Sequence, residues 1–369
     1  MKITAIRISH HALPLDPPFR AGWDPRPRTT APATIVRVET DQGLTGIGSG
    51  DAMTGFAGQE ALFVGQDPRD LDRHHRVLTN IAFHQGRCWP LDIALWDLFG
   101  KITGQPVWRL LGGRRHRIPL YASSGTLRDP AAMAETAERF LDAGFRAMKL
   151  RFHRADWRQD VAAVEAVRAR VGDRLTVMVD CNQGWRMPWD TSAPWQLKDA
   201  LAVARALEPL DIYWMEEPLD QADRHGMAAL RRMIPIRVAG AEMVREAGQL
   251  RDLIADGCLD VLQPDAALTG GITGLARIAA LAEAAGIMFT PHTWTNGIGV
   301  LANLHLVGGV SDAPFVEYPY DPPEWSPGRR DFMLTAPLAD DGDGHLVLPE
   351  APGLGIVLDE DRLAATRAG

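Results

Sequence analysis

FRAMKLRFHRADWRQDVAAVEAVRARVGDRLTVMVD, residues 145–180, holds two short apolar and β-branched runs, FRAMKLR (145–151) and LTVMVD (175–180). Between them DVAAVEAVRARVG (160–172) repeats its apolar positions at helical spacing. Strand, helix and strand in that order build a parallel pair with a helical crossover. The rhythm continues on both sides, from about residue 118 to 318. IPLYAS (118–123) precedes the unit, after which come IYWMEE (212–217), IRVAGAE (236–242), CLDVLQPD (258–265), GIMFTPH (286–292) and PFVEY (314–318). Eight strands alternating with helices over about 200 residues match a closed barrel. The expected fold class is therefore α/β, a (β/α)7β TIM-like barrel over residues 116–339. An open doubly wound sheet is the alternative, but YASSGTLRD lacks the GxGxxG that would follow its first strand.

Residues 1–115 have a different pattern. TIVRVETDQGLTGIGSG (34–50) predicts two antiparallel strands with a turn at Asp41-Gln42-Gly43. PLDIALWDLFGKITG (90–104) predicts an amphipathic helix with Leu91, Ala94, Leu95 and Leu98 on one side. These make an N-terminal α+β capping domain, and LVLPEAPGLGIVL (346–358), within a last segment from about 340 to 369, is expected to pack back on it. WRMPWDTSAPW (185–195), with its three Trp and two Pro, predicts a loop on the barrel's top face.

Composition excludes several classes of function. The 39 basic side chains against 47 acidic ones give a net charge of −8, which disfavours a nucleic-acid or anionic-membrane partner. Cys88, Cys181 and Cys258 form no disulfide or zinc pattern. MKITAIRISHHALPL alternates like a strand rather than a signal peptide, and no run reaches the roughly 18 apolar residues of a membrane span. The cytoplasm is the expected compartment, and a homo-oligomer the expected assembly.

Acidic residues end successive strands: Asp180, then Glu216 and Glu217, then Glu242, then Asp265. In a barrel these ends converge on one opening. Carboxylates gathered there repel one another unless a divalent cation lies among them, and oxygen-only ligands favour Mg²⁺. Helix N-capping is the alternative role for each acid. Asp265 and His292 end neighbouring strands, where a carboxylate orients an imidazole as a general base. Lys149 and Arg151 alternate toward the interior, either to balance the acids or to hold a substrate carboxylate. His153 lies further out, as a loop residue.

At these residues the chain resembles the enolase superfamily, and within it the mandelate racemase subgroup. The likeness runs through WPLDIALWDLFGKITGQPVWRLLGG, the Lys-x-Arg of AMKLR, the Asp-x-Asn of VDCNQ and the first Glu of MEEP. It continues through the Glu of AGAEM, QPDAALTGG, the His of TPHTW and the Glu of FVEY. The resemblance implies that Asp180, Glu216 and Glu242 bind Mg²⁺ and that Asp265 and His292 form a catalytic dyad. It implies Glu317 beside the substrate carboxylate as hydrogen-bond donor or electrostatic partner. Asn182 would touch substrate, and Lys149 the carboxylate on the metal.

The departure is Arg151, where racemases of the subgroup carry a second Lys as base. Arginine stays protonated, so one-base β-elimination is favoured over two-base racemisation. QPDAALTGG also lacks the catalytic Lys of muconate-lactonising relatives. The expected activity is dehydration of a sugar acid, aldonate or aldarate, to a 2-keto-3-deoxy acid. A racemase or epimerase, and a catalytically silent barrel that binds metal and carboxylate, are the alternatives. Loops PLDPPFRAGWDPRPRTT (14–30) and GDAMTGFAG (50–58) would set the substrate, with Arg20, Arg26 and Arg28 either meeting a second carboxylate or remaining solvated.

Overall fold

A long hairpin opens the structure, a computed structural model that describes residues 1–50, 52–84 and 86–368. β1 (Ile3–Phe19) pairs antiparallel with β2 (Arg28–Thr40), which pairs with β3 (Thr45–Gly50). The predicted loop 14–30 is thus mostly strand, leaving only residues 20–27 between β1 and β2. Pro14, Pro17 and Pro18 are accommodated because β1 is an edge strand and its register shifts between Pro14 and Phe19. Asp51, in the second predicted loop, lies outside the described residues.

α1 (Leu71–His84), α2 (Trp89–Thr103) and α3 (Val107–Leu110) complete the cap. Gly46 and Gly48 let α2 lie directly on β3, since a Cβ at either would collide with the backbone carbonyl of Ala94 or Pro90. The predicted face forms, with Leu91, Ala94, Leu95 and Leu98 together in the cap core, but the opposite side is covered as well. Asp92 and Asp97 on α2 are buried along with Leu91, Ala94, Leu95 and Leu98, because the helix is covered on both sides. Asp97 accepts from the backbone N–H of Ile47 at 2.7 Å and of Leu354 at 2.8 Å, and pairs with Lys101 at 2.7 Å. Asp97→Ala strands two buried N–H groups and should cost about 2 kcal/mol in urea unfolding. A loss below about 0.5 kcal/mol would show that water replaces the carboxylate there.

The barrel strands are β4 (Arg117–Ser123), β5 (Ala147–Arg151), β6 (Thr176–Asp180), β7 (Ile212–Glu216), β8 (Arg237–Gly240), β9 (Val261–Leu262), β10 (Met288–Phe289) and β11 (Val316–Pro319). Between them run α4 (Pro130–Asp142), α5 (Trp157–Val171), α6 (Leu197–Leu207), α7 (Arg224–Met233), α8 (Ala247–Ala255), α9 (Gly271–Ala284) and α10 (Gly297–Val310). Spatial order follows the chain from β4 to β10, with β11 returning beside β4, all parallel. Eight strands with seven intervening helices form the (β/α)7β arrangement.

No ladder joins β10 to β11 among the described residues; side chains close the seam. Thr290 Oγ1 donates to the Phe315 carbonyl at 2.9 Å, and Thr293 N and Oγ1 donate to Glu317 Oε2 and O at 2.8 and 2.9 Å. β9 and β10 stop earlier than their apolar runs predict, so Asp265 and His292 lie three residues past the ordered ladder. Pro264 and Pro291 stand just before them and have no N–H to donate to a ladder.

Strand parity sorts the barrel interior into two layers. Tyr121, Ala147, Met178, Trp214, Ala239 and Val261 fill the lower one. Two residues further along β4 to β7, Ser123, Lys149, Asp180 and Glu216 form the upper, polar one, all fully buried. After the barrel come α11 (Pro327–Arg330), β12 (His345–Val347), antiparallel to β4, and α12 (Glu360–Ala365). The last segment meets the cap where Val107 N bonds Gly353 O and Ala12 N bonds Thr366 O. Among the described residues no helix is long and apolar enough to cross a membrane.

Candidate active site

Asp180 ends β6 and Glu216 ends β7, while Glu242 lies two residues beyond β8, past Ala241 at φ +86°. One oxygen from each of the three lies within 4.8 Å of the others, and all three side chains are buried. Lys149 Nζ sits 2.5 Å from Glu216 Oε1, 2.8 Å from Glu317 Oε1 and 3.7 Å from Asp180 Oδ2. Arg151 Nη1 is 2.5 Å from Asp180 Oδ2 and its Nε donates to the Ser124 carbonyl at 3.2 Å. The rings of Trp23 and Trp294 lie 4.5 and 5.3 Å from the same guanidinium.

Outer bonds hold the acids in place. Gln263 Nε2 and Trp214 Nε1 donate to Glu216 Oε2 at 2.9 and 3.2 Å, and Trp185 Nε1 donates to Glu242 Oε1 at 2.8 Å. Glu242 Oε2 is buried without a hydrogen-bond partner. Burial, opposed by Lys149 and reinforced by Asp180, Glu317 and Glu242, pushes the Glu216 pKa up to about 8. Glu217, turned out of the strand at φ +47°, is pushed well above the carboxylate range by burial and then by Glu242. Asp180, Glu216 and Glu317 lie against Lys149 and Arg151, while Glu242 has His292 Nε2 3.8 Å from its Oε2. The unpartnered Glu242 oxygen and the oxygen-only donor set fit a hard dication at Asp180, Glu216 and Glu242.

His292 Nδ1 lies 3.0 Å from Asp265 Oδ2. The carboxylate is an acceptor, so Nδ1 donates, and the other ring nitrogen, Nε2, lies 3.8 Å from Glu242 Oε2. Asp265 is itself held by Ala267 N at 2.8 Å and by Asn303 Nδ2 at 2.9 Å, from the buried helix α10. Burial lowers the His292 pKa, but Glu242, Asp265 and Glu317 outweigh it and raise it to about 9. Charge neutralisation of Glu242 by a dication removes the largest of those pulls.

Of the two roles expected for Glu317, hydrogen-bond donor or electrostatic partner, its surroundings match the second. Burial raises its pKa, yet Lys149, His292 and Arg151 win and bring it down to about 2. It is an ionised acceptor, bonded by Ser123 Oγ at 2.8 Å and Thr293 N at 2.8 Å, and its work is to hold Lys149 and the seam. Asn182, at φ +50°, donates its N–H to Asp180 Oδ1 at 2.9 Å, while both polar atoms of its buried side chain lack partners. His153 lies outside the ring, 3.6 Å from Asp190 in the 185–195 loop. Arg20 and Arg26 stay exposed, and Arg28 pairs with Asp24.

Residues 132–362 match the family profile described as enolase C-terminal domain-like, and residues 3–112 match the mandelate racemase / muconate lactonizing enzyme N-terminal domain. This chain belongs to the mandelate racemase / muconate lactonizing enzyme family. It is 30% identical to the D-galactarolactone cycloisomerase of Agrobacterium fabrum, over 100% of this chain and 99% of that one. It is 31% identical to the 3,6-anhydro-α-L-galactonate cycloisomerase of Streptomyces coelicolor, over 90% and 91%. In structure it is similar to the D-glucarate dehydratase of Agrobacterium tumefaciens solved with magnesium, at a TM-score of 0.86 and 25% identity over the full length of both chains.

In this member of the mandelate racemase / muconate lactonizing enzyme family, a cavity of about 230 Å³ opens above Glu242 and His292. Its wall includes Trp23, Arg28, Arg87, Trp185, Arg245 and Trp294, so the 185–195 loop reaches the site. Trp189 Nε1 in that loop donates to the Trp23 carbonyl at 3.0 Å, which ties the loop to the β1–β2 connection. Arg87 and Asn303 carry no site signal in their local sequence, whereas Trp23 lies in the 14–30 stretch and Trp294 in the TPHTW motif. Arg245 does carry one, since it follows Glu242 by three residues and so stands near the same mouth.

Proposed function

We propose that this protein abstracts the proton α to the carboxylate of a polyhydroxy acid with His292 Nε2, and then eliminates the β-oxygen substituent. The observation that carries this reading is the one-sidedness of the basic groups. His292 lines the cavity with its Nδ1 held by Asp265, whereas the opposite side presents Arg151, pinned by Asp180, Ser124 and two tryptophans. Lys149 is buried and ion-paired to Glu216 and Glu317 at 2.5 and 2.8 Å, which holds it as a cation. Racemisation needs a base on both faces; elimination needs only one.

Mg²⁺ held by Asp180, Glu216 and Glu242 would supply positive charge against the enediolate as its charge develops. Lys149 and Arg151 add two fixed cations on the same side. His292 takes the α-proton, the electron pair enters the enediolate, and its collapse expels the β-hydroxyl. His292, now protonated and oriented by Asp265, returns that proton to the leaving oxygen as water. The resulting enol becomes the 2-keto-3-deoxy acid. A C4–C6 sugar-acid library with Mg²⁺ in D₂O tests the reading, which predicts keto-acid formation. α-Deuteration of recovered acid without any keto acid would reject it in favour of an epimerase.

A second reading keeps the same base but expels a ring oxygen, so that the product is an isomer. The kinship to two cycloisomerases, at 30% and 31% identity, favours it. Product mass separates the two, because only dehydration loses water.

A further inference from the structure

Arg87 and Arg245 line the cavity that holds Glu242 and His292, and neither has a carboxylate partner among the described residues. Nη1 of Arg245 is buried with no acceptor, and its Nη2 reaches only the Met243 sulfur, 4.0 Å away. Burial, and after it the nearby Arg87 cation, lowers the Arg245 pKa to about 10 against the opposite pull of Asp265 and Glu242. Two guanidiniums lining one cavity with neither in an ion pair are unfavourable in the protein alone. Other arginines in this chain do find acids, as Arg128 finds Asp321 at 2.5 Å and Arg114 finds Glu283 at 2.7 Å. Arg87 is also held in position, since Thr54 N donates to its carbonyl at 3.0 Å and its own N–H meets Thr54 Oγ1 at 3.3 Å.

Arg87 comes from the cap, between α1 and α2, and Arg245 from the barrel, three residues past Glu242, so the two reach one cavity from different domains. Arg151, Glu242 and His292 line the same cavity. We propose that Arg87 and Arg245 bind the distal carboxylate of a dicarboxylic sugar acid, making an aldarate the substrate in preference to an aldonate. A planar guanidinium matches a carboxylate with two parallel hydrogen bonds. The cavity, at about 230 Å³, lies below the ~300–1,000 Å³ of drug-sized sites and suits a compact diacid. The proposal rests on the elimination reading only for what happens at the other carboxylate.

The test uses the Mg²⁺-loaded protein and aldarate/aldonate pairs of equal length and configuration. The aldarate should lead in kcat/KM by about 10²-fold, the size expected for charge-assisted hydrogen bonds. Arg245→Met should reduce that ratio by about the same factor, chiefly through KM, with Arg245→Lys recovering part of it and Arg87→Met acting in the same direction. Calorimetry with adipate and hexanoate, which carry no leaving group, reads the distal carboxylate without turnover. Adipate should bind at least about 10-fold tighter than hexanoate, and the difference should vanish in Arg245→Met. Equal handling of both acid classes, unchanged by either substitution, overturns the proposal and leaves the elimination reading intact. Adipate selectivity lost on Arg245→Met, with no acid eliminated, sinks the elimination reading and supports the diacid site. Preference for a terminally phosphorylated aldonate over the aldarate overturns the carboxylate assignment.

Discussion

His292→Asn should lower kcat roughly 10³- to 10⁴-fold, the upper part of the range that a positioned proton-transfer group contributes. Solvent exchange of the substrate α-proton should fall with it, because the same Nε2 lone pair performs both. The expectation follows from the one-sided geometry: Lys149 and Arg151 are buried cations in ion pairs and cannot substitute as bases. Asp265→Asn should cost less, about 10²-fold, since it disturbs the tautomer and orientation of His292 but leaves the ring present. Stopped assays of keto-acid formation, together with NMR of α-deuterium, measure both effects. Full exchange in His292→Asn with elimination alone abolished would move the base elsewhere and leave His292 as the acid.

Lys149→Met should destabilise the metal-free protein by about 3–5 kcal/mol, the cost of breaking a buried ion pair by removing one partner. Lys149 is fully buried and is shared by Glu216, Glu317 and Asp180, so its loss leaves three carboxylates facing one another beside Arg151 alone. Chemical unfolding in EDTA and in excess Mg²⁺ separates the contributions. Mg²⁺ should restore more stability to the variant than to the parent, because a dication at Asp180, Glu216 and Glu242 replaces part of the missing positive charge. Equal Mg²⁺ stabilisation of both proteins would mean that the lysine and the ion site are electrostatically independent, contrary to the distances.

Much of this site follows from short-range pattern. The two-residue period of β5 alone puts Lys149 and Arg151 on the face that Ala147 shares, and the alternation of strand and helix turns that face toward a common axis. Asp180 and Glu216, two positions past Met178 and Trp214, inherit the interior side by the same parity. Parity is a property of neighbouring residues, so the primary structure contains it in full.

What the primary structure could not determine are the pairings made by closure of the barrel and docking of the cap. Glu317 became an acceptor because the seam between β10 and β11 brings Thr293 to it, across 24 residues of chain. Arg151 is immobilised by Trp23 from the cap and Trp294 from beyond β10, and Arg87 meets the cavity of Arg245 only after the cap has docked. Strand order, the face each strand turns inward and the acids at strand ends are local consequences of residue spacing. Which charge answers which, and which cations are left open for a ligand, depends on distances between segments far apart in the chain, and only the assembled fold sets those.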